Sequence, residues 1–188
     1  MQQEADLEAA AAEAGDACRE AAAALSAAAV APEALAEYVE TRRVLLISRP
    51  ARMVPLGEVW RLGSLLLGTD ARLYALGRAT RAAERGRPNY QSVSREERRE
   101  IAAAALRGGY AAGAPVNYDA RELPLTPAGV SGLASADPIG VAPTGAGDGA
   151  AAVVRVRWRA GAPLEGAPSL RAYLRERVSL LVAPEFTD

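Results

Sequence analysis

Small side chains set at heptad spacing near the N-terminus constrain this chain more than any other feature. Leu7, Ala11, Ala14, Cys18, Ala21, Leu25 and Ala28 recur at alternating steps of four and three, the spacing of a helical seam. Alanine has the highest helix propensity, so a long helix is predicted over residues 3–30. A seam of this kind lets another backbone come close but buries little area. The expectation is a helical arm, weakly held and separable from the core, with a homodimer through that helix as its candidate partner. Pro32 suits the first turn of a second helix, about residues 32–43, with Leu35, Tyr38 and Val39 on one face. Residues 1–43 therefore read as an acidic N-terminal helical arm. Cys18 on the seam reads as a small buried hydrophobe.

Charge is segregated along the chain. Residues 1–40 hold nine acids and one arginine, a net −8; residues 41–121 hold fifteen arginines and seven acids, a net +8; the remainder is −1. An acidic helix could dock on the basic part of its own chain or of a second copy. Alternatively, the basic part could meet an anionic ligand or nucleic acid.

All 22 basic residues are arginine, there is no histidine, and Cys18 is the only cysteine. A Ser–His–Asp triad and a Cys–His dyad are therefore excluded, as is a P-loop lysine. One cysteine without histidine makes a zinc site untenable. No metal and no cofactor are implied. No run of about 18 apolar residues is present, so no membrane partner is expected. The acidic start argues against a targeting peptide. Cytoplasm is the default location, and the Ala/Arg/Gly bias suggests a GC-rich bacterial genome.

The middle reads as the folded centre, a basic α+β core over residues 44–126. Residues 58–67 and 72–81 are β-like runs joined by Gly68-Thr69-Asp70-Ala71. Ser94 with Glu97 forms a capping box for a helix over 95–107, ended by Gly108-Gly109. Glu96 and Glu100 share a face of that helix and read as a solvated pair. A short strand is expected at 116–118. Residues 127–150 read as a flexible Gly/Pro/Ala-rich loop. It contains Thr144-Gly145-Ala146-Gly147-Asp148, similar to the anion-hole motif of ribokinase-type sugar kinases. Here the motif precedes a strand in a chain too short for that fold, so it reads as coincidence. Residues 151–188 supply a last strand and helix that complete the core. The predicted helix over 169–182 has an apolar stripe of Leu170, Tyr173, Leu174, Val178, Leu181 and Val182. The fold class expected is α+β: a small antiparallel sheet of three or four strands, helices on one face, and the long N-terminal arm.

Two arginine clusters are the candidate anion-binding residues. Residues 152–159 alternate strictly, so Val154, Val156 and Trp158 should face inward and Arg155, Arg157 and Arg159 outward. Side chains on one strand face recur every ~6.6–6.8 Å, close to the phosphate spacing of an extended strand. If this row is only solvated, its removal should leave stability unchanged. The second cluster is Arg78, Arg81, Arg85 and Arg87 with Tyr90, in a loop that could hold a phosphate or stack a base. No catalytic residue can be named.

The segments Trp60-Arg61-Leu62-Gly63, Leu65-Leu66-Leu67, Arg72-Leu73-Tyr74-Ala75, Thr80-Arg81-Ala82, Arg98-Arg99, Ala103 to Tyr110 and Val116-Asn117-Tyr118 resemble small uncharacterised actinobacterial proteins. Some of those are labelled glutaminase. The resemblance covers about residues 52–125 and implies amide hydrolysis as a second reading, without supplying catalytic residues. The first reading is a non-catalytic binding or interaction protein with an arginine-rich face.

Overall fold

The computed structural model describes residues 2–44, 47–86, 93–145 and 151–183, with backbone only at 42–44 and 47–48. Along the chain run α1 (Gln2–Ala27), β1 (Glu33–Val39), β2 (Arg42–Val44), β3 (Ile47–Arg49), β4 (Arg52–Leu62), β5 (Leu65–Gly68), β6 (Leu73–Ala75) and β7 (Arg78–Arg81). Then come α2 (Val93–Arg107), β8 (Pro115–Tyr118), β9 (Arg121–Glu122), α3 (Pro127–Ser131), β10 (Ile139–Pro143), β11 (Ala152–Val156) and α4 (Leu170–Val182). The α+β class stands, but the small antiparallel sheet does not. Among the described residues there is a seven-stranded mixed sheet in the order β7-β8-β1-β4-β5-β6-β9, with β10-β11 and β2-β3 as separate pairs.

Two departures from the sequence reading enlarge the sheet. Residues expected to form a second helix make β1 instead. It pairs parallel with β8, from Ala34↔Val116 to Ala36↔Tyr118, and antiparallel with β4, from Glu33↔Val59 to Val39↔Arg52. Helix propensities differ by only tenths of a kcal/mol per residue. Ladders on both sides satisfy the backbone and bury Leu35 and Ala36, which decides the matter. Asn117 is fully buried and donates to Glu33 Oε2 at 2.8 Å and to Ala34 O at 3.2 Å, pinning the parallel register. The second departure is that each expected β-run splits. The run 58–67 folds back at Gly63-Ser64 to give β4 and β5. Gly63 has φ +60°, and a Cβ there would run into the Tyr173 hydroxyl. The run 72–81 breaks into β6, which pairs with β5 and β9, and β7, which pairs with β8. The turn at residues 68–71 is where the sequence puts it: Gly68 N donates to Arg72 O and Ala71 N to Gly68 O.

The described chain divides into two compact units. One is Met1–Ala31, Trp60–Ala75 and Arg121–Asp188; the other is Pro32–Val59 and Leu76–Ala120. In the second, Ile101 and Ala105 of α2 join Ala36, Met53, Ala82, Val116 and Tyr118 in a small core. In the first, α1 packs against α3, α4 and β11. Helices α1, α3 and α4 thus belong to the first unit and α2 to the second. The stretch read as a flexible loop contains α3, capped by the Thr126 hydroxyl at Gly129 N, and β10, which pairs with β11 from Ile139↔Val156 to Pro143↔Ala152. Residues 146–150, which hold most of the GAGD motif, lie outside the described residues.

The expected arm is a wall of the first core. Ala10, Ala11, Ala14, Ala17, Cys18, Ala21, Ala22 and Leu25 of α1 are all buried, in one cluster with Trp60, Leu62, Leu65, Val154, Val156, Leu170 and Leu174. Trp60 Nε1 donates to Val30 O at 2.8 Å, tying the residues after the helix to β4. Small seam residues bury little each, yet they bring the helix axis close enough for its neighbours' large side chains to be covered. The helix thus contributes buried residues to the first unit's core. Close packing should punish added volume here: Ala14→Leu should cost about 1–3 kcal/mol in chemical denaturation. The same change at exposed Ala12 should stay within about 0.5 kcal/mol.

Candidate functional site

Strand β11 begins as its alternation predicts, with Val154 and Val156 buried and Arg155 and Arg157 on the other side. The pattern stops where the ladder stops. Trp158, expected inward, lies beyond the strand and is 74% exposed. The two strand arginines are occupied. Arg155 donates to Ala167 O and, at 3.3 Å, to Pro143 O. Arg157 donates through Nε to Ala162 O at 2.9 Å, and through Nη1 to Asp137 O at 3.2 Å and Ile139 O at 2.6 Å. Its guanidinium lies across Gly140, where a Cβ would come within 2.6 Å of Nη1. These side chains bond to loop carbonyls at Asp137, Ala162 and Ala167 and to carbonyls at both ends of β10. Arg159 instead lies over the Trp158 ring, 4.6 Å from its centroid, a cation–π contact.

The described arginines of the second cluster have partners within their own unit. Arg85 donates twice to Glu96 Oε1, at 3.1 and 2.7 Å, and lies 3.3 Å from Glu100. The pair read as solvated, Glu96 and Glu100, thus has a partner, and Glu100 also takes Arg107. Arg81 donates to Gly113 O at 3.1 Å. Arg78 lies 5.3 Å over the Tyr118 ring and 3.7 Å from Glu97. It borders a cleft of about 710 Å³ that also presents Glu37, Glu40, Glu97 and Asp119, an environment that suits a cation better than an anion. Burial, and after it the nearby carboxylate Glu100, pushes the Tyr38 hydroxyl in that cleft above its ordinary pKa. Arg87 and Tyr90 lie outside the described residues. Two acids of α1 find partners on α4, outside the basic middle: Arg171 pairs with Glu13 at 2.7 Å and with Glu20, and Arg175 lies 3.8 Å from Glu20.

The sequence reading missed the place where polar groups converge. In the first unit, a cavity of about 380 Å³ is bordered by Ser64, Arg157, Trp158, Tyr173, Glu176 and Arg177. Its floor is built by one hydroxyl. Tyr173 Oη donates to Leu62 O at 3.1 Å, accepts from Ser64 N at 2.9 Å, and lies 3.2 Å from Ser64 Oγ. Arg177, one turn further along α4, lays its guanidinium 5.1 Å over the Tyr173 ring. Among the described residues its Nε is buried and meets no acceptor, and Glu176 lies 3.8 Å from Nη2. The signal that could have found this site was the i, i+4 spacing of Tyr173 and Arg177 on α4.

The described residues offer no activated nucleophile. Cys18 is sealed in the core, where burial pushes its thiol up to about 12. No group of three or more Asp, Glu or Cys side chains among them could hold a metal ion. No helix among them is long and apolar enough to cross a membrane. No family model, no curated protein and no solved structure matches this chain.

Arg157→Gln should lower stability by about 1.5–3 kcal/mol, because it strips a charged donor from three carbonyls. Arg159→Gln should change it by less than about 0.5 kcal/mol. Denaturant midpoints of the two variants check this, against the expectation that the whole row is dispensable for stability. Cys18 supplies a second prediction. Its folded pKa lies above the unfolded value, so the neutral thiol is fully tolerated below about pH 9. Above that, the unfolded chain ionises while the folded one does not. Stability attributable to this group should then fall by ~1.4 kcal/mol per pH unit until about pH 12. The slope should vanish in Cys18→Ala, and native protein at pH 8 should resist alkylation.

Proposed function

We propose that this chain is a non-catalytic binding protein that takes a small anion in the Tyr173–Arg177 pocket. The observation that carries the reading is the Arg177 guanidinium: half withdrawn from water, stacked on Tyr173, with a buried Nε that has no acceptor. A guanidinium presents paired donors that match a carboxylate or phosphate edge. Ser64 adds a hydroxyl beside it. Arg157 brings positive charge to the same wall while its Nε and Nη1 hold the surrounding carbonyls in place. The work is thus divided: Arg157 belongs to the wall, and the guanidinium of Arg177 would meet a ligand.

Amide hydrolysis, the reading implied by the glutaminase-labelled resemblance, asks for a nucleophile with a base beside it. Cys18 lies in the core, and the hydroxyl of Ser64 faces Tyr173, whose own proton is directed at Leu62 O. With no histidine or lysine in the chain, neither group has an obvious activator.

Calorimetric titration with inorganic phosphate at low ionic strength should show binding that weakens as salt rises. Arg177→Gln should weaken it about tenfold or more, the loss expected for a charge-assisted contact. Equal affinity in Arg177→Gln would remove the pocket as the anion site. Ammonia release from glutamine that is abolished by Ser64→Ala would establish the hydrolase reading in its place.

A further inference from the structure

We infer that the ligand of this pocket joins a planar aromatic ring to its anionic group, the chemistry of a nucleoside monophosphate, with the ring on Trp158 and the phosphate at Arg177. This rests on the anion reading above and adds the ring.

Trp158 carries the inference. The chain has two tryptophans. Trp60 is 3% exposed, and its ring nitrogen is bonded to Val30 O. Trp158 is 74% exposed at the edge of a cavity whose other wall is charged. Large aromatic side chains dominate burial energetics, and an exposed one beside a pocket is a common mark of a ligand surface. Arg159 lies over the indole ring at 4.6 Å. A cation on one face of an indole leaves the other face for a planar group to stack on, as bases do on aromatic side chains.

The remaining lining residues fit the same ligand. Glu176 is out of place in a pocket for a bare anion. For a ligand that also carries hydroxyl or amino donors, such as a ribose or an exocyclic amine, it is an acceptor. Ser64 offers a hydroxyl that can donate or accept. A cavity of about 380 Å³ falls at the small end of the range for ligand pockets, ~300–1,000 Å³. That size admits a mononucleotide and not an oligomer. Arg157 and Arg177 against Glu176 leave the lining net positive, the sign an anionic group needs.

Trp158 also makes the test direct. The intact protein would be titrated with AMP, adenosine and inorganic phosphate, reading affinity by calorimetry and tryptophan emission in parallel. AMP should quench emission and bind at least tenfold more tightly than phosphate. Trp158→Ala should abolish the AMP-dependent quenching and weaken AMP by about five- to hundredfold, the loss expected for one stacked base. It should leave phosphate affinity and the melting temperature unchanged, since the indole is exposed. If AMP binds no tighter than phosphate and Trp158→Ala changes neither, the ring inference is overturned while the anion reading stands. If adenosine binds as tightly as AMP and phosphate does not bind, or if none of the three binds, both fall.

Discussion

One phenolic hydroxyl holds the first unit's chemistry in place. Tyr173 reaches from α4 to the turn between β4 and β5, where it donates to Leu62 O and accepts from Ser64 N. Without it, a backbone donor and a carbonyl at that turn would be left without partners in a largely dry setting, which costs about 1–3 kcal/mol per group. Gly63 makes the contact possible, because any side chain at that residue would occupy the place of the hydroxyl. The same ring is the surface on which Arg177 lies. Packing, turn geometry and the candidate pocket therefore share a single anchor.

Around that anchor, the unit solves its other problems with small residues and guanidinium groups. The alanines of α1 allow close approach, so that Leu25, Leu62, Leu170 and Leu174 are fully covered. The loop between β11 and α4 has carbonyls that no strand satisfies, and Arg155 and Arg157 bond to them. In a chain without lysine, arginine serves as a structural donor as well as a surface charge. Its planar fork can reach several carbonyls at once, which an ammonium does less well. Net charge by segment consequently said little about binding, since most of the arginines named here already have acceptors.

Elements with strong local signals were legible in the sequence. The helix α1 follows from its alanine seam, α4 from Ser169 and its apolar stripe, and the turn at residues 68–71 from Gly68 and Asp70; α2 ends where Gly108 puts its end, but it includes Val93 and so holds Ser94, read as its cap, inside the helix. The burial of Cys18, Val154 and Val156 follows from periodicity alone. The burial expected of Leu181 and Val182 is not found, since both are more than 40% exposed.

What only the tertiary structure decided are the features whose partners lie far along the chain. Residues 33–39 carry a helical composition, yet β8, about 80 residues later, and β4 make them a strand. The split of residues 72–81 into β6 and β7 depends on which distant strands each half pairs with. The pocket joins Ser64 to Tyr173 across 109 residues, and neither residue announces the other. Local propensity and periodicity are written residue by residue, and so the sequence determined the helices, the turn and the alternating strand. Backbone ladders and buried hydroxyl contacts form only where separate segments meet, and so the sheet, the occupied arginines and the site were decided by the fold.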